Sequence, residues 1–164
     1  MKTQNLETLA EELGNLLIER RLFFKSAESC TGGWVGQTVT AVAGSSRWYG
    51  AGFITYSNTA KNKILEVSKE TLKKYGAVSE EVVQEMVAGA LQKSGAALGI
   101  AISGIAGPGG GTKKRPVGTV CIAWKLHDNI LVSSTELFDG DRNQVRYATV
   151  EHTFKKAIEL IKEN

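Results

Sequence analysis

The sequence predicts an α/β fold: a three-layer α/β/α sandwich, one compact domain around a mixed sheet that contains an antiparallel hairpin. Two observations carry this. An apolar run without alternation, Leu98 to Ser103, stands among amphipathic stretches at helical spacing, as expected of a strand covered on both faces. Later, two β-rich runs, Gly118 to Leu126 and Ile130 to Phe138, flank His127-Asp128-Asn129, a turn that suggests a hairpin. With 164 residues, the chain has the size of a single domain, 1–164, and shows no linker or internal repeat.

The elements follow in order. Leu6, Leu9, Ala10, Leu13, Leu16 and Leu17 recur at helical spacing and predict an amphipathic helix over residues 4–20. Leu22 to Ala27 reads as a strand, and a short helix from Trp34 to Val42 ends at Gly44-Ser45-Ser46. Trp48 to Tyr56 carries aromatic and β-branched residues suited to a strand. Asn58 is the expected N-cap of a helix over Thr59 to Leu65. Ser79 opens another helix, with Glu80 and Glu81 in its first turn and an apolar stripe of Val82, Val83, Met86, Val87, Ala90 and Leu91. Residues 143–162 close the chain as a helix with Tyr147, Val150, Phe154, Ala157, Ile158 and Ile161 on one face.

Composition narrows the function classes. Hydrophobic residues at 42% and charged residues at 23% describe an ordinary soluble domain. The formal charge of +3 is small and scattered, so neither nucleic acid nor a membrane surface is indicated as a partner. No apolar segment approaches the roughly 20 residues needed to span a bilayer, and the N-terminus does not read as a signal peptide. Two cysteines, Cys30 and Cys121, point to reduced thiols and a cytoplasmic location.

The chemistry concentrates in polar loops at predicted strand ends: 28–33, 55–61 and 103–116. Residues 103–111 hold five glycines and a proline, a composition suited to a backbone that bends sharply or lies against a ligand. The loop is not a P-loop, and it lacks the G-x-G-x-x-G spacing and following helix of a dinucleotide fold. It is therefore read as a loop that bends beside a small-molecule pocket rather than as a known phosphate or dinucleotide motif.

Ser29 sits where a strand turns into a helix, followed by Gly32 and Gly33. That setting suits a nucleophile with helix-terminal amides as an oxyanion hole, but from the residues alone the favoured reading is that Ser29 and Thr31 simply cap the helix. Cys30 is the other nucleophile available, although an apolar strand beside it favours a buried, inert thiol. Lys61 falls in the first turn of a predicted helix, where the dipole disfavours a cation. A desolvated amine there would serve as a general base, against the alternative of a solvated surface lysine. Tyr56 is placed to relay a proton or to pack. Arg142 and Arg146, one turn apart near a helix start, are candidates for a phosphate clamp or for salt bridges to Asp139 or Asp141. Lys113, Lys114 and Arg115 read as a solvated run. His127 and His152 neighbour no nucleophile in sequence, and no His, Cys or carboxylate cluster has metal spacing. Trp48 and Tyr49 fit either a homodimer contact or the core.

Together, Ala27-Glu28-Ser29-Cys30-Thr31-Gly32-Gly33, Thr55-Tyr56-Ser57-Asn58 with Lys61, Gly76-Ala77-Val78-Ser79, Ser103-Gly104-Ile105-Ala106-Gly107-Pro108 and Gly140-Asp141-Arg142 resemble the CinA C-terminal domain family over essentially the whole chain. The resemblance implies a compact α/β/α sandwich. It also implies deamidation of nicotinamide mononucleotide to nicotinate mononucleotide and ammonia, without cofactor or metal. By the same resemblance Ser29 is the nucleophile, with Lys61 and Tyr56 assisting. Thr31, Gly32, Gly33, Ser103, Gly104, Ala106, Gly107 and Arg142 are expected to bind the pyridine nucleotide. A non-catalytic regulatory module that binds pyridine nucleotides is the alternative. The glycine loop and the arginines would suffice for it, whereas it has no need of Ser29, Tyr56 and Lys61.

Overall fold

The computed structural model describes residues 5–92, 97–127 and 129–164. The elements are α1 (Leu6–Arg20), β1 (Phe24–Glu28), α2 (Trp34–Ala41), β2 (Tyr49–Ile54), α3 (Asn58–Leu65), α4 (Lys69–Tyr75), α5 (Glu80–Gln92), β3 (Leu98–Gly104), β4 (Thr119–Leu126), β5 (Ile130–Leu137) and α6 (Arg142–Glu163). The five strands form one sheet in the order β2-β1-β3-β4-β5. β1 runs parallel to β2 and β3, and the β3–β4 and β4–β5 pairs are antiparallel, so the sheet is mixed and ends in the expected hairpin.

The order of connections dictates the layers. From β1 the chain crosses through α2 to β2 on one side, then returns through α3, α4 and α5 to β3 on the other. Crossovers of one hand that travel in opposite directions lay their helices on opposite faces of a sheet. Accordingly α1, α2 and α6 cover one face, over Phe24, Ile100, Ile102, Ile122 and Trp124. α3 and α5 cover the other, over Ala27, Ala101, Cys121 and Ala123. Bulky side chains thus point to one face and small ones to the other, and α5 lies close against the small face. Gly89 of α5 is the closest approach: a Cβ there would fall on the Leu65 carbonyl oxygen.

The register aligns Glu28 of β1 with Ile54 of β2 and Ile102 of β3. The residues that follow, Ser29, Thr55 and Ser103, therefore stand in a row at the C-terminal ends of three parallel strands. β1 is also where the order reverses, the usual ligand crevice of open α/β sheets.

Several local expectations change. The cap of α3 is Ser57, whose hydroxyl accepts from the Ala60 amide, one residue before the expected Asn58. α4 has no counterpart in the sequence reading, because Lys69–Tyr75 buries no residue and so shows no apolar stripe. β2 is shorter than Trp48–Tyr56, since Trp48 follows a 3-10 turn at Ser45–Arg47 and packs at 1% exposure beneath Gly14. Trp48 is core, and the half-buried Tyr49 ring meets Phe24 at 5.3 Å. α1 begins at Leu6 with Asn5 as its cap; residue 4 of the expected helix lies outside the described residues, as does Asp128 of the hairpin turn. Among the described residues no helix is long and apolar enough to cross a membrane.

Candidate active site

β1 delivers Ser29 into the crevice because its extended backbone continues one residue past the strand, where the Ser29 amide donates to the Ile102 carbonyl at 3.0 Å. Side chains alternate along an extended chain, so Ala27 and Ser29 face the α3–α5 layer while Glu28 faces α2. The structure follows this: Ala27 packs in the α5-side core, Ser29 meets Lys61 of α3, and Glu28 turns to the start of α2.

Lys61 is the central feature of the site. It is 1% exposed, and its Nζ lies 3.0 Å from Ser29 Oγ, 2.9 Å from the Thr55 carbonyl and 3.3 Å from the Tyr56 carbonyl. All three partners are neutral. Burial pushes the Lys61 ammonium below its ordinary value, because the charged form has lost water. A neutral amine has two N–H groups and one lone pair. With the two carbonyls taking the N–H groups, the lone pair is left for the Ser29 hydroxyl proton. The pair has the geometry of a nucleophile and its base.

Cys30, the alternative nucleophile, is buried, and its thiol is pushed up to about 12, chiefly by loss of solvation. It has essentially no thiolate near neutrality.

Ser29, Cys30, Tyr56, Asn58, Lys61, Ala77, Val78, Ser103, Gly104, Ala106 and Arg142 line a cavity of about 200 Å³. Three loops predicted to converge therefore do so. Tyr56 stands on the rim, 61% exposed, and its carbonyl rather than its phenol touches Lys61. The phenol instead accepts from Arg142 at 3.3 Å. Arg142, the first residue of α6 after the Asp141 cap, also donates to the Gly107 carbonyl at 2.7 Å. It thus spans the mouth between the glycine loop and Tyr56, and among the described residues neither Asp139 nor Asp141 pairs with it. Gly107, at φ 84°, lies where a Cβ would strike Val117, and Ser103, Gly104 and Ala106 form this side of the cavity.

The CinA C-terminal domain family model matches residues 6–161. The chain belongs to this family. Its similarity extends to nicotinamide-nucleotide amidohydrolase PncC of Enterobacter agglomerans, 43% identical over 163 residues and 99% of each chain. The PncC of Escherichia coli K12 is 47% identical over 146 residues, 89% of this chain and 88% of that one. A solved CinA superfamily protein from Klebsiella pneumoniae superposes with a TM-score of 0.94 at 37% identity, covering 98% of this chain and all of that one.

In this CinA-family chain, other expected binding residues lie elsewhere. Thr31 is fully buried and donates its hydroxyl to Glu28 at 2.7 Å. Gly32 and Gly33, both at positive φ, border a separate depression of about 490 Å³ with Trp34, Gln37, Ile54, Asn143 and Arg146. The Gly32 amide donates to the Ser29 carbonyl at 3.0 Å and is not free for a ligand. Arg146 does not join Arg142 at the mouth: it grips the Cys30 and Thr31 carbonyls. Arg115 leaves the solvated run and donates to the Tyr75 carbonyl at 2.7 Å.

Glu28 was present in the motif without a role. Its carboxylate is 1% exposed and takes Thr31 Oγ1 at 2.7 Å, the Val35 amide at 2.9 Å and the Gly36 amide at 3.2 Å. It caps α2 from the preceding strand, in place of the Gly33 N-cap, which has no side chain to offer. A carboxylate just before a helix start is the signal that would have found it.

Proposed function

We propose that the chain hydrolyses the carboxamide of nicotinamide mononucleotide to nicotinate mononucleotide and ammonia, with Ser29 as nucleophile and Lys61 as general base. The buried contact between Ser29 Oγ and Lys61 Nζ, in surroundings that favour the neutral amine, carries the reading. The names of the relatives supply the substrate class.

In the first half, Lys61 Nζ takes the Ser29 proton as Oγ adds to the amide carbon. The carbonyl oxygen becomes an oxyanion. Lys61 then returns the proton to the leaving nitrogen, the C–N bond breaks, and ammonia departs from a Ser29 ester. In the second half, water gives a proton to Lys61 and adds to the ester. Collapse expels Ser29 Oγ, which regains its proton from Lys61, and the carboxylate product leaves. The Cys30 amide, at the edge of the cavity and, unlike that of Gly32, not used by the turn, is assigned to the oxyanion. Each well-aimed donor is worth about 3 kcal/mol. Arg142, poised at the mouth, is assigned to the nucleotide phosphate, and Ser103 to Gly107 to the wall beside the ring and ribose. Two buried free thiols support a reducing, cytoplasmic setting.

The test is ammonia release from nicotinamide mononucleotide by the wild type, Ser29→Ala and Lys61→Ala. The expected result is turnover by the wild type and loss of at least about 100-fold in each variant. Near-normal turnover in either folded variant overturns the assignment. Ligand-induced thermal stabilisation without ammonia from the wild type would instead identify a binding module.

A further inference from the structure

We propose that Ser103 is a catalytic residue for amide hydrolysis: its hydroxyl donates to the carboxamide oxygen as that oxygen becomes an oxyanion, from the side of Ser29 opposite Lys61. The inference rests on the Ser29–Lys61 reading above and gives a chemical role to one residue of the wall beside the ring.

The polar side chains around the cavity differ in what they have left to offer a substrate. Ser29 Oγ and Lys61 Nζ hold each other, Lys61 also holds the Thr55 and Tyr56 carbonyls, and Arg142 bridges the Tyr56 phenol and the Gly107 carbonyl. Cys30 packs in the core of the opposite face, and Asn58 is exposed at the rim. Ser103 is only 2% exposed, yet its Oγ meets no hydrogen-bond partner among the described residues. Buried hydroxyls are normally paired, so an unpaired one in a cavity wall calls for a use. Thr55 Oγ1 and Ser134 Oγ are also unpaired, but they are sealed from the surface. Ser103 Oγ is not sealed, and the surface it keeps opens on the cavity.

The register places this hydroxyl. Glu28 pairs with Ile102, and the Ser29 amide donates to the Ile102 carbonyl at 3.0 Å, so Ser103 stands beside Ser29 at one strand spacing, about 4.8 Å. Side chains alternate along β3: Ile102 packs in the core beneath α1, α2 and α6, and Ser103 points to the other face, like its cross-strand partner Cys121. Ser29 and Lys61 meet on that same face. Lys61 reaches Ser29 from the β2 side, where it holds the Thr55 and Tyr56 carbonyls, while Ser103 flanks Ser29 from the β3 side. A carboxamide attacked by Ser29 Oγ has to turn its nitrogen to Lys61, which protonates it as it leaves. Nitrogen and oxygen diverge from the carbonyl carbon, so the oxygen is turned toward β3 and Ser103. The hydroxyl proton, claimed by no acceptor of the protein, rotates to meet it. Ser103 keeps that proton throughout and adds a second donor to the Cys30 amide, in a buried setting where such donors act most strongly.

The test measures kcat and KM for ammonia release from nicotinamide mononucleotide by Ser103→Ala alongside the wild type. kcat is expected to fall about 100-fold with KM changed less than about 2-fold, because the lost interaction belongs to the transition state. The rise of kcat/KM with pH should keep its wild-type position, since Lys61 is untouched. The melting temperature should not fall, because the substitution breaks no hydrogen bond within the protein. Ser103→Thr and Ser103→Val repeat the comparison at equal volume, with and without a hydroxyl, and the threonine variant is expected to be at least about 10-fold faster. A kcat of Ser103→Ala within about 2-fold of wild type, a loss confined to KM, a displaced pH profile, or equal rates for the threonine and valine variants overturns the proposal. If Ser29→Ala and Lys61→Ala are inactive in the same assay, the Ser29–Lys61 reading survives that outcome. Absence of ammonia from the wild type overturns both.

Discussion

Replacing Lys61 by methionine separates the chemistry of the amine from its effect on the fold. The variant keeps an unbranched chain of similar volume in the same buried slot and removes only Nζ. Without the base, kcat is expected to fall at least about 100-fold, or roughly 2.7 kcal/mol of barrier. Stability is subject to two opposing effects. Loss of Nζ deprives the Thr55 and Tyr56 carbonyls of a donor, about 1–3 kcal/mol each at most, and the Tyr56 bond is the longer. Against this, the wild type buries an amine whose charged form is disfavoured by desolvation. Its folded pKa lies below the ordinary 10.5, so between those two values the unfolded chain binds more protons than the folded one. Wild-type stability therefore rises with pH through that window, and below it the full penalty applies. Methionine has no such dependence. Thermal melts of both proteins across pH 6 to 10 (roughly the span between His and Lys titration) should show Lys61→Met most favoured at the acid end, its advantage shrinking as pH rises. Wild-type kcat/KM should rise over the same window as the neutral base forms. A melting difference that is flat or grows with pH, or a folded variant retaining more than about a tenth of wild-type turnover, would refute the reasoning.

Glu28→Gln keeps an oxygen for Thr31 and Val35 but sets an NH₂ against the Gly36 N–H; at about 1–3 kcal/mol, the melting temperature should drop by about 3–10 °C in a thermal scan. Cys30→Ala should retain deamidase activity, and an aromatic disulfide reagent should leave the native thiol untouched near neutral pH, because its pKa is pushed up to about 12; rapid labelling of the folded protein at Cys30 would contradict this. Gly89→Ala places a methyl on the Leu65 carbonyl and should destabilise by at least about 2 kcal/mol, read from denaturant titration with an unchanged m-value. Arg142→Ala should raise KM for nicotinamide mononucleotide about 10-fold, the weight of one charge-assisted hydrogen bond, with a smaller change in kcat.

The sequence showed most where local rules act alone. Helical periodicity marks α1, α5 and α6, the unbroken apolar run marks β3, and the paired β-rich runs mark the β4–β5 hairpin. It also nominated Ser29, Lys61 and Arg142, which the fold brings to one cavity. What it did not show depends on tertiary approach. Ser29 and Lys61 stand 32 positions apart, and only the level register of β1 with β2 and β3 turns two loops into a pair at 3.0 Å. Tyr56 was placed correctly along the chain, yet which of its atoms meets Lys61 depends on the backbone leaving β2, and it is the carbonyl. The arginines one turn apart looked equivalent; α6 starts against the site, so its first residue reaches the mouth while the fifth reaches the back of the Ser29 turn. α4 escaped because a helix with no fully buried residue, and Leu72 as its one aliphatic contact with the core, carries no periodic signal.

That no carboxylate stands beside Lys61 among the described residues is a property of the fold and follows from strand alternation. Glu28 is adjacent to Ser29 in sequence, and a carboxylate beside Lys61 would hold the ammonium charged and end its use as a base. One residue of extended chain separates the two side chains onto opposite faces of the sheet. Glu28 is then fully engaged by Thr31 and the two amides that open α2, while Lys61 Nζ has a hydroxyl and two carbonyls as its hydrogen-bond partners. A single-residue slip of β1 against its neighbours would exchange these faces, bring the carboxylate to the amine and take the hydroxyl away. The register that builds the parallel half of the sheet is thus the same constraint that keeps the Glu28 carboxylate and the Lys61 amine apart, and the proposed role of Ser29 rests on it.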